Sequence, residues 1–375
     1  VMLNTTVNHL NNALTSSNDK QQKSFGLIKT LINGVWYNDI SDTPELLHMR
    51  QQEKQHWFRN WVTADGSSGF LAQAGRYHLY VSYACPWAHR TILYRQLKGL
   101  QNVISMSVVH PRWAGANGWE FGEPVAVVSQ SGAGVPPVEE LAKGSPGISK
   151  LANPKGDTPI STVDHVANRR YLYEVYQAAK PDFTGKVTVP VLWDKKTSTI
   201  VNNESGEIIR MLNSAFDVWG DASVNFYPDN LRSEIETMNA FVLDKVCNGV
   251  YKAGFASTQE AYDKAVQELF QALDTLEERL SQQLYLLGDR ITESDLHLFC
   301  TLCRFDAVYY GALKCNLKRL IDYPTMSAYT QRIYNLPSVA ATVKMDHIKQ
   351  HYYDDLKAGN PAIVPVGPAI DFRNK

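Results

Sequence analysis

Long apolar runs are missing from this sequence. Nowhere do about 18 consecutive apolar residues occur, the length a membrane-spanning helix needs, so no membrane span is expected. Charge of one sign is missing too: 37 Lys and Arg balance 38 Asp and Glu, for a net charge of −1. A sequence-independent nucleic-acid binder needs a basic excess to displace counterions, so nucleic acid is not an expected partner. The phosphate-cradling patterns G-x-x-x-x-G-K-[ST] and G-x-G-x-x-G are absent, which argues against a nucleotide. The ten histidines include no H-E-x-x-H and no clustered Cys/His spacing, which argues against a metal. Cysteine is scarce. Cys85, Cys247, Cys300, Cys303 and Cys315 form an odd, sparse set, not a disulfide framework, and suggest a reducing, cytoplasmic setting. The first 24 residues lack a basic cap followed by an apolar stretch, so no targeting segment is expected there.

What is present falls into stretches of different character. Residues 1–24 are polar and Asn-rich, and 25–75 carry Trp36, Trp57 and Trp61 without a clean period, together reading as a partly irregular N-terminal extension over 1–75. From Arg76 the pattern sharpens. RYHLYVSY alternates as a strand, Pro86 to Lys98 reads as a helix with Pro in its first turn, and Val103 to Val109 reads as a second strand. A Gly-, Pro- and Ser-rich stretch at about 122–161 interrupts this unit as an insertion. Then come a helix over Val163 to Ala179, strands over 186–194 and 198–203 joined at Asp194 to Thr197, and a helix over Glu204 to Ala215. The hairpin after the second helix predicts a mixed sheet. An α/β domain over 76–220 is expected, followed by an all-helical domain over 226–345 and a tail over 346–375. Within 258–280, Tyr262, Val266, Leu269, Leu273, Leu276 and Leu280 form one apolar stripe. Thr292 and Asp295 predict a capping box at a further helix start, with Ile291 and Leu296 as its staple.

Cys85 stands between a predicted strand end and a helix start, in Ser82-Tyr83-Ala84-Cys85-Pro86-Trp87-Ala88-His89. A thiol there faces unsatisfied backbone N–H groups and the positive end of the helix dipole, and both favour thiolate. The fourth residue of the C-P-W-A motif is Ala88, so no second thiol can resolve a mixed disulfide internally. A soluble thiol must do so, and glutathione is the natural candidate. Pro190 in Val187-Thr188-Val189-Pro190 is unfavourable inside a central strand. A cis Val189–Pro190 bond is expected, exposing the Val189 main chain to a peptide-like ligand. Glu204 and Ser205 open a helix, where N–H groups and a hydroxyl can hold a carboxylate and the Glu204 carboxylate can receive an amino group. His89 lies one turn beyond Cys85 and is expected to be structural. Cys300 and Cys303 sit mid-helix and, with Cys247 and Cys315, are expected in the core.

Together these pieces resemble the glutathione transferase superfamily, and more narrowly its glutathionyl-hydroquinone reductases, the xi class, related to the omega class. The resemblance rests on SYACPWAHRT (82–91), NGWEF (117–121), VTVPVLWDKK (187–196), NNESGEIIRM (202–211), NGVYKAGFA (248–256), RFDAVYYGALKCN (304–316) and DHIKQHYY (346–353). It implies a thioredoxin-like glutathione-binding domain with a mixed four-stranded sheet, then an all-α glutathione-transferase C-terminal domain. It implies Cys85 as nucleophile, Trp119 packing against glutathione, Val189 pairing through its backbone, and Glu204 and Ser205 holding the γ-glutamyl end. Tyr251 and Tyr309 are implied to line an aromatic substrate pocket. Glutathione is the implied co-substrate, glutathionylated quinones or hydroquinones the substrates, and a homodimer the assembly. Gly206, Ala312 and the DDLKAGNP tail (354–361) depart from the family pattern. The competing expectations are an omega-like thioltransferase or dehydroascorbate reductase using the same cysteine, and a non-catalytic ligand-binding protein of the same fold.

Overall fold

The computed structural model describes residues 28–40, 58–123, 161–355 and 372–373. These form two units: residues 28–85 and 102–204, as described, make the first, and 86–101 and 205 onward make the second. The N-terminal 27 residues, Trp57 and nearly all of the 122–161 insertion lie outside the described residues.

The first unit begins with a hairpin where the sequence reads as irregular. Strands β1 (Ile28–Ile32) and β2 (Val35–Ile40) pair antiparallel. Asn33 and Gly34 turn the chain with φ of 48° and 76°, the left-handed geometry a two-residue hairpin requires. Gly34 is doubly required, because a Cβ there would lie 1.7 Å from the Pro181 carbonyl oxygen. A short parallel pair follows, β3 (Val62–Thr63) with β4 (Phe70–Leu71).

In chain order there follow β5 (Tyr77–Val81), α1 (Pro86–Leu97), β6 (Ser105–Val108), α2 (Leu172–Ala179), β7 (Val191–Asp194), β8 (Thr199–Asn202) and α3 (Ser205–Ser214). The sheet order is β6-β5-β7-β8, with β5 parallel to β6 and β7 antiparallel to both its neighbours. This is the mixed sheet of a thioredoxin-like domain. All five residues of β5 are buried, as an inner strand requires. Strand β7 starts only after Pro190, so the proline stands at the entrance and no ladder hydrogen bond is lost. Helix α2 is also shorter than the expected 163–179. The buried Asp164 carboxylate accepts from the Val166 N–H (2.9 Å), the Arg169 N–H (3.2 Å) and the Tyr80 hydroxyl (2.9 Å), which fixes 164–169 as a turn. The β7–β8 hairpin turns where expected. Asp194 accepts from the Lys196 N–H (2.9 Å) and Thr197 hydroxyl (2.6 Å) and is clasped by Arg76 at 2.8 and 2.7 Å.

The second unit holds α1 and α3 and then, among the described residues, the helices α4 (Arg232–Phe241), α5 (Gly249–Gly254), α6 (Gln259–Ser281), α7 (Glu293–Leu302), α8 (Tyr310–Ala312), α9 (Pro324–Tyr334) and α10 (Met345–Gln350). Wider π turns occupy Val242–Cys247, Phe305–Tyr309 and His351–Asp355. Helical structure therefore runs past residue 345. Helix α6 starts with Thr258 accepting from the Ala261 N–H, and buries Val266, Leu269, Leu273, Leu276 and Leu280 of the expected stripe. Each such side chain contributes about 1.5–3 kcal/mol. Helix α7 opens on the expected box: Asp295 accepts from the Thr292 N–H (2.8 Å) and hydroxyl (3.0 Å), and also from the Leu286 N–H and the Tyr329 hydroxyl. Among the described residues no helix is long and apolar enough to cross a membrane.

Candidate active site

Cys85 follows the bend that ends β5 and directly precedes α1, whose first residue is Pro86. The local fold follows from the sequence. The Ser82 hydroxyl accepts from the Ala84 N–H (3.2 Å) to shape the bend, and Pro86 sits where a helix lacks an N–H partner anyway. Cys85 is half-buried, and its Sγ lies 3.9 Å from the Val189 carbonyl oxygen. The Val189–Pro190 bond is cis. The structure thus brings together the thiol and the main chain that the sequence paired only by expectation.

Tyr176 holds the Val189 segment from α2. Its hydroxyl donates to the Thr188 carbonyl (2.8 Å), and the Asn203 side chain donates to it at 3.3 Å. Asn203 in turn accepts from Arg59 (2.9 Å). The Asn202 side chain accepts from the Glu204 N–H (2.7 Å) and donates to the Asn60 carbonyl (3.1 Å). The two asparagines before Glu204 therefore fix the turn that presents it, a role the sequence reading missed. A run of Asn before a helix start, with its habit of bonding nearby backbone, was the available signal. Glu204 is half-buried in the first unit, and Ser205 is the buried first residue of α3 in the second. Trp119 stands in the loop after β6, half-buried, its ring 6.4 Å from that of Trp113.

In the second unit the Tyr251 and Tyr309 hydroxyls lie 3.4 Å apart. A third tyrosine joins them: the Tyr352 hydroxyl is 2.5 Å from that of Tyr251 and 3.2 Å from that of Tyr309. Its signal was the DHIKQHYY block, read as resemblance without a role. Tyr309 and Tyr352 sit on π turns, and Tyr251 follows one; such turns widen the helix and redirect its side chains. Burial, reinforced by the neighbouring Tyr251 and Tyr352, pushes the Tyr309 hydroxyl well above its ordinary range, so it stays a neutral donor. Trp87, two residues after Cys85, lies 6.5 Å ring to ring from Tyr251.

His89 is fully committed elsewhere. Its Nδ1 accepts from the Arg304 guanidinium (2.9 Å), which has no acceptor to offer in return, so the proton sits on Nε2 and is donated to Thr342 (2.7 Å). Burial, with the Arg304 charge, lowers its pKa well below the ordinary histidine value. His89 is a structural, neutral histidine. Cys247, Cys300, Cys303 and Cys315 are buried, and burial pushes each thiol up. None of the five cysteines forms a disulfide. Among the described residues no cluster of three or more His, Cys, Asp or Glu could hold a metal.

The models of the glutathione S-transferase N-terminal and C-terminal domains match residues 84–215 and 259–332. Over 349 residues the chain is 43% identical to the glutathionyl-hydroquinone reductase YqjG of Escherichia coli, covering 91% of this chain and 96% of that protein. The glutathione-bound structure of the E. coli protein superposes with a TM-score of 0.75 at 42% identity, covering 92% of this chain and 97% of that one. A xi-class glutathione transferase from Natrialba magadii gives a TM-score of 0.77 at 40% identity, over 93% and 95% of the two chains. With its lone thiol at a helix start, its cis-proline segment and full-length likeness to these proteins, the chain belongs to the glutathionyl-hydroquinone reductases, the xi class of the glutathione transferase superfamily.

Proposed function

We propose that the protein is a glutathione-dependent reductase that strips glutathione from glutathionyl-hydroquinones, with Cys85 as nucleophile. The observation that carries this reading is the Cys85 Sγ, half-buried at the start of α1 and 3.9 Å from the Val189 carbonyl. The Cys85 thiolate attacks the glutathione sulfur of the substrate. The C–S bond breaks, its electron pair passes to the ring carbon, and that carbon takes up a proton. Hydroquinone leaves, and Cys85 is left in a mixed disulfide with glutathione. A second glutathione thiolate attacks the glutathione sulfur of that disulfide and releases glutathione disulfide and the Cys85 thiolate. Ala88 at the resolving position supports a second glutathione in that step. A tyrosine, Tyr251 or Tyr309, stabilises the phenol or keto form as the C–S bond breaks.

Glutathione is the co-substrate in this account. Trp119 packs on it, the Val189 main chain pairs with its peptide, and Glu204 and Ser205 receive its γ-glutamyl end. A homodimer in the reducing cytoplasm completes the reading, and sedimentation velocity checks the assembly. Steady-state turnover of the Cys85→Ala variant tests the chemistry: loss of turnover with glutathione binding retained is expected, and near-normal turnover would refute it. Faster turnover of hydroxyethyl disulfide than of glutathionyl-hydroquinone by the intact protein would instead favour an omega-like thioltransferase.

A further inference from the structure

The loop that carries Trp119 is tied at both ends to the first unit. The His110 N–H donates to the Glu120 carbonyl (2.7 Å), the Leu172 N–H to the Trp119 carbonyl (3.0 Å) and the Phe121 N–H to the Arg170 carbonyl (2.8 Å). Its apex, residues 113–118, is gripped by the N-terminal hairpin. The Lys29 ammonium donates to the Trp113 carbonyl at 2.5 Å and stands 5.0 Å from the centre of the Trp113 ring, which neighbours Trp119. The Trp36 indole N–H donates to the Ala116 carbonyl at 3.0 Å. The Trp36 ring also closes over Gly118, whose φ is +67°; a Cβ there would lie 3.1 Å from the ring. That ring also belongs to a stack: Trp36 on Tyr173 at 4.8 Å, and Tyr173 on Tyr171 at 5.2 Å, with interplanar angles of 17° and 16°.

The hairpin itself is bolted down. Leu31 exchanges backbone hydrogen bonds with Gly185 at 3.1 and 2.9 Å, the Gly34 N–H donates to the Phe183 carbonyl (2.9 Å), and Gln177 of α2 donates to the Gly34 carbonyl (2.7 Å). A rigid base thus projects one cation and one indole onto the apex of a loop whose next residue is Trp119.

We propose that the β1–β2 hairpin is a positioning element of the glutathione site, with Lys29 and Trp36 as positioning residues that hold the 113–118 apex and so set the placement of the Trp119 ring. This rests on the reading that Trp119 packs against glutathione. A loop held in its binding conformation before the ligand arrives loses less freedom on binding, so the hairpin acts on affinity for glutathione and not on sulfur chemistry. The role belongs to the Lys29 and Trp36 side chains, which hold the loop apex.

The test is ¹⁹F NMR of protein labelled with 5-fluorotryptophan, with the Trp119 line assigned by Trp119→Phe, alongside glutathione titration and steady-state kinetics. Trp36→Leu and Lys29→Met are each expected to raise the glutathione Kd and KM by about tenfold and leave kcat at saturating glutathione within about twofold, the loss of roughly one hydrogen bond or ring contact. The Trp119 line is expected to shift in the glutathione-free variants, and Trp36→Phe, which keeps the stack, is expected to recover most of the affinity. Should Trp36→Leu fail to fold, Lys29→Met, with its half-buried side chain, carries the test. If Trp119→Ala weakens glutathione binding while the Trp36 and Lys29 variants bind normally with an unmoved Trp119 line, the positioning role is wrong and the site stands. If Trp119→Ala leaves binding unchanged, the placement of glutathione at Trp119 fails and the hairpin's role fails with it.

Discussion

Cys85 differs from the other four cysteines by position, not by chemistry. It is half-buried at a helix start, whereas Cys247, Cys300, Cys303 and Cys315 are buried and their thiols pushed up by burial. Brief treatment of the folded protein with iodoacetamide at neutral pH is therefore expected to label Cys85 alone, as read by peptide mass spectrometry. Labelling spread evenly over the five would contradict that assignment. This residue was legible because strand end, thiol, proline and helix start are consecutive, and the physics of a helix terminus acts within one turn. The structural role of His89 was also expected, but its reason was not visible: Arg304 and Thr342, which fix its tautomer, lie 215 and 253 residues away. Tyr352 was hidden in the same way, since three hydroxyls meet only after three separate helical turns have folded.

At the scale of elements, local signals read well and nonlocal ones did not. The capping box at α7 and the stripe of α6 are written in short spacings. Asn33-Gly34 was just as local a signal, but it lies among scattered tryptophans whose lack of period drew the reading toward irregularity. The turn at 164–169 was lost because Asp164 can either continue a helix or bond its own backbone, and the buried Tyr80 hydroxyl decides in favour of the turn. Gly34 gives the sharpest test of the hairpin. Gly34→Ala places a methyl group against the Pro181 carbonyl in a left-handed conformation, and is expected to destabilise the protein by about 2 kcal/mol or more in urea unfolding. By the positioning argument it also weakens glutathione binding. Gly75, with φ of 77° and no atom within 4 Å of the place a methyl group would take, is the control, and Gly75→Ala is expected to lose about 1 kcal/mol.

For the whole molecule, the buried titratable groups set the response to acid. His89 and His297 are both buried and neutral in the fold, held below the ordinary histidine value chiefly by burial. The unfolded chain binds protons at both as pH falls through about 6.5, and the folded chain does not, so stability falls with pH in that window. The slope approaches at most about 1.4 kcal/mol per pH unit for each histidine. Glu293 adds a loss in the same direction at lower pH. Burial opposes its ionisation, but hydrogen bonding to His297 and the hydrogen bond and charge of Arg210, at 2.9 Å, outweigh that and hold its pKa below the usual carboxylate value. Its contribution is complete above the unfolded value and lost as pH falls through the folded one. Asp295 and Asp306, pushed up by burial, act the other way and soften the fall. Urea midpoints measured from pH 7.5 to 5.5 are expected to drop steadily; a flat profile would mean that the buried histidines protonate in the folded state.

The central claim is that Cys85 takes glutathione directly from the substrate, and one single-turnover experiment reaches it. Enzyme in excess is mixed with glutathionyl-hydroquinone without added glutathione, quenched in acid, and read by intact and peptide mass spectrometry with hydroquinone measured in the same sample. The account predicts one glutathionyl group on Cys85 and an equal amount of free hydroquinone, with both absent for Cys85→Ala. Hydroquinone release without an adduct on Cys85, or release undiminished in Cys85→Ala, would contradict it.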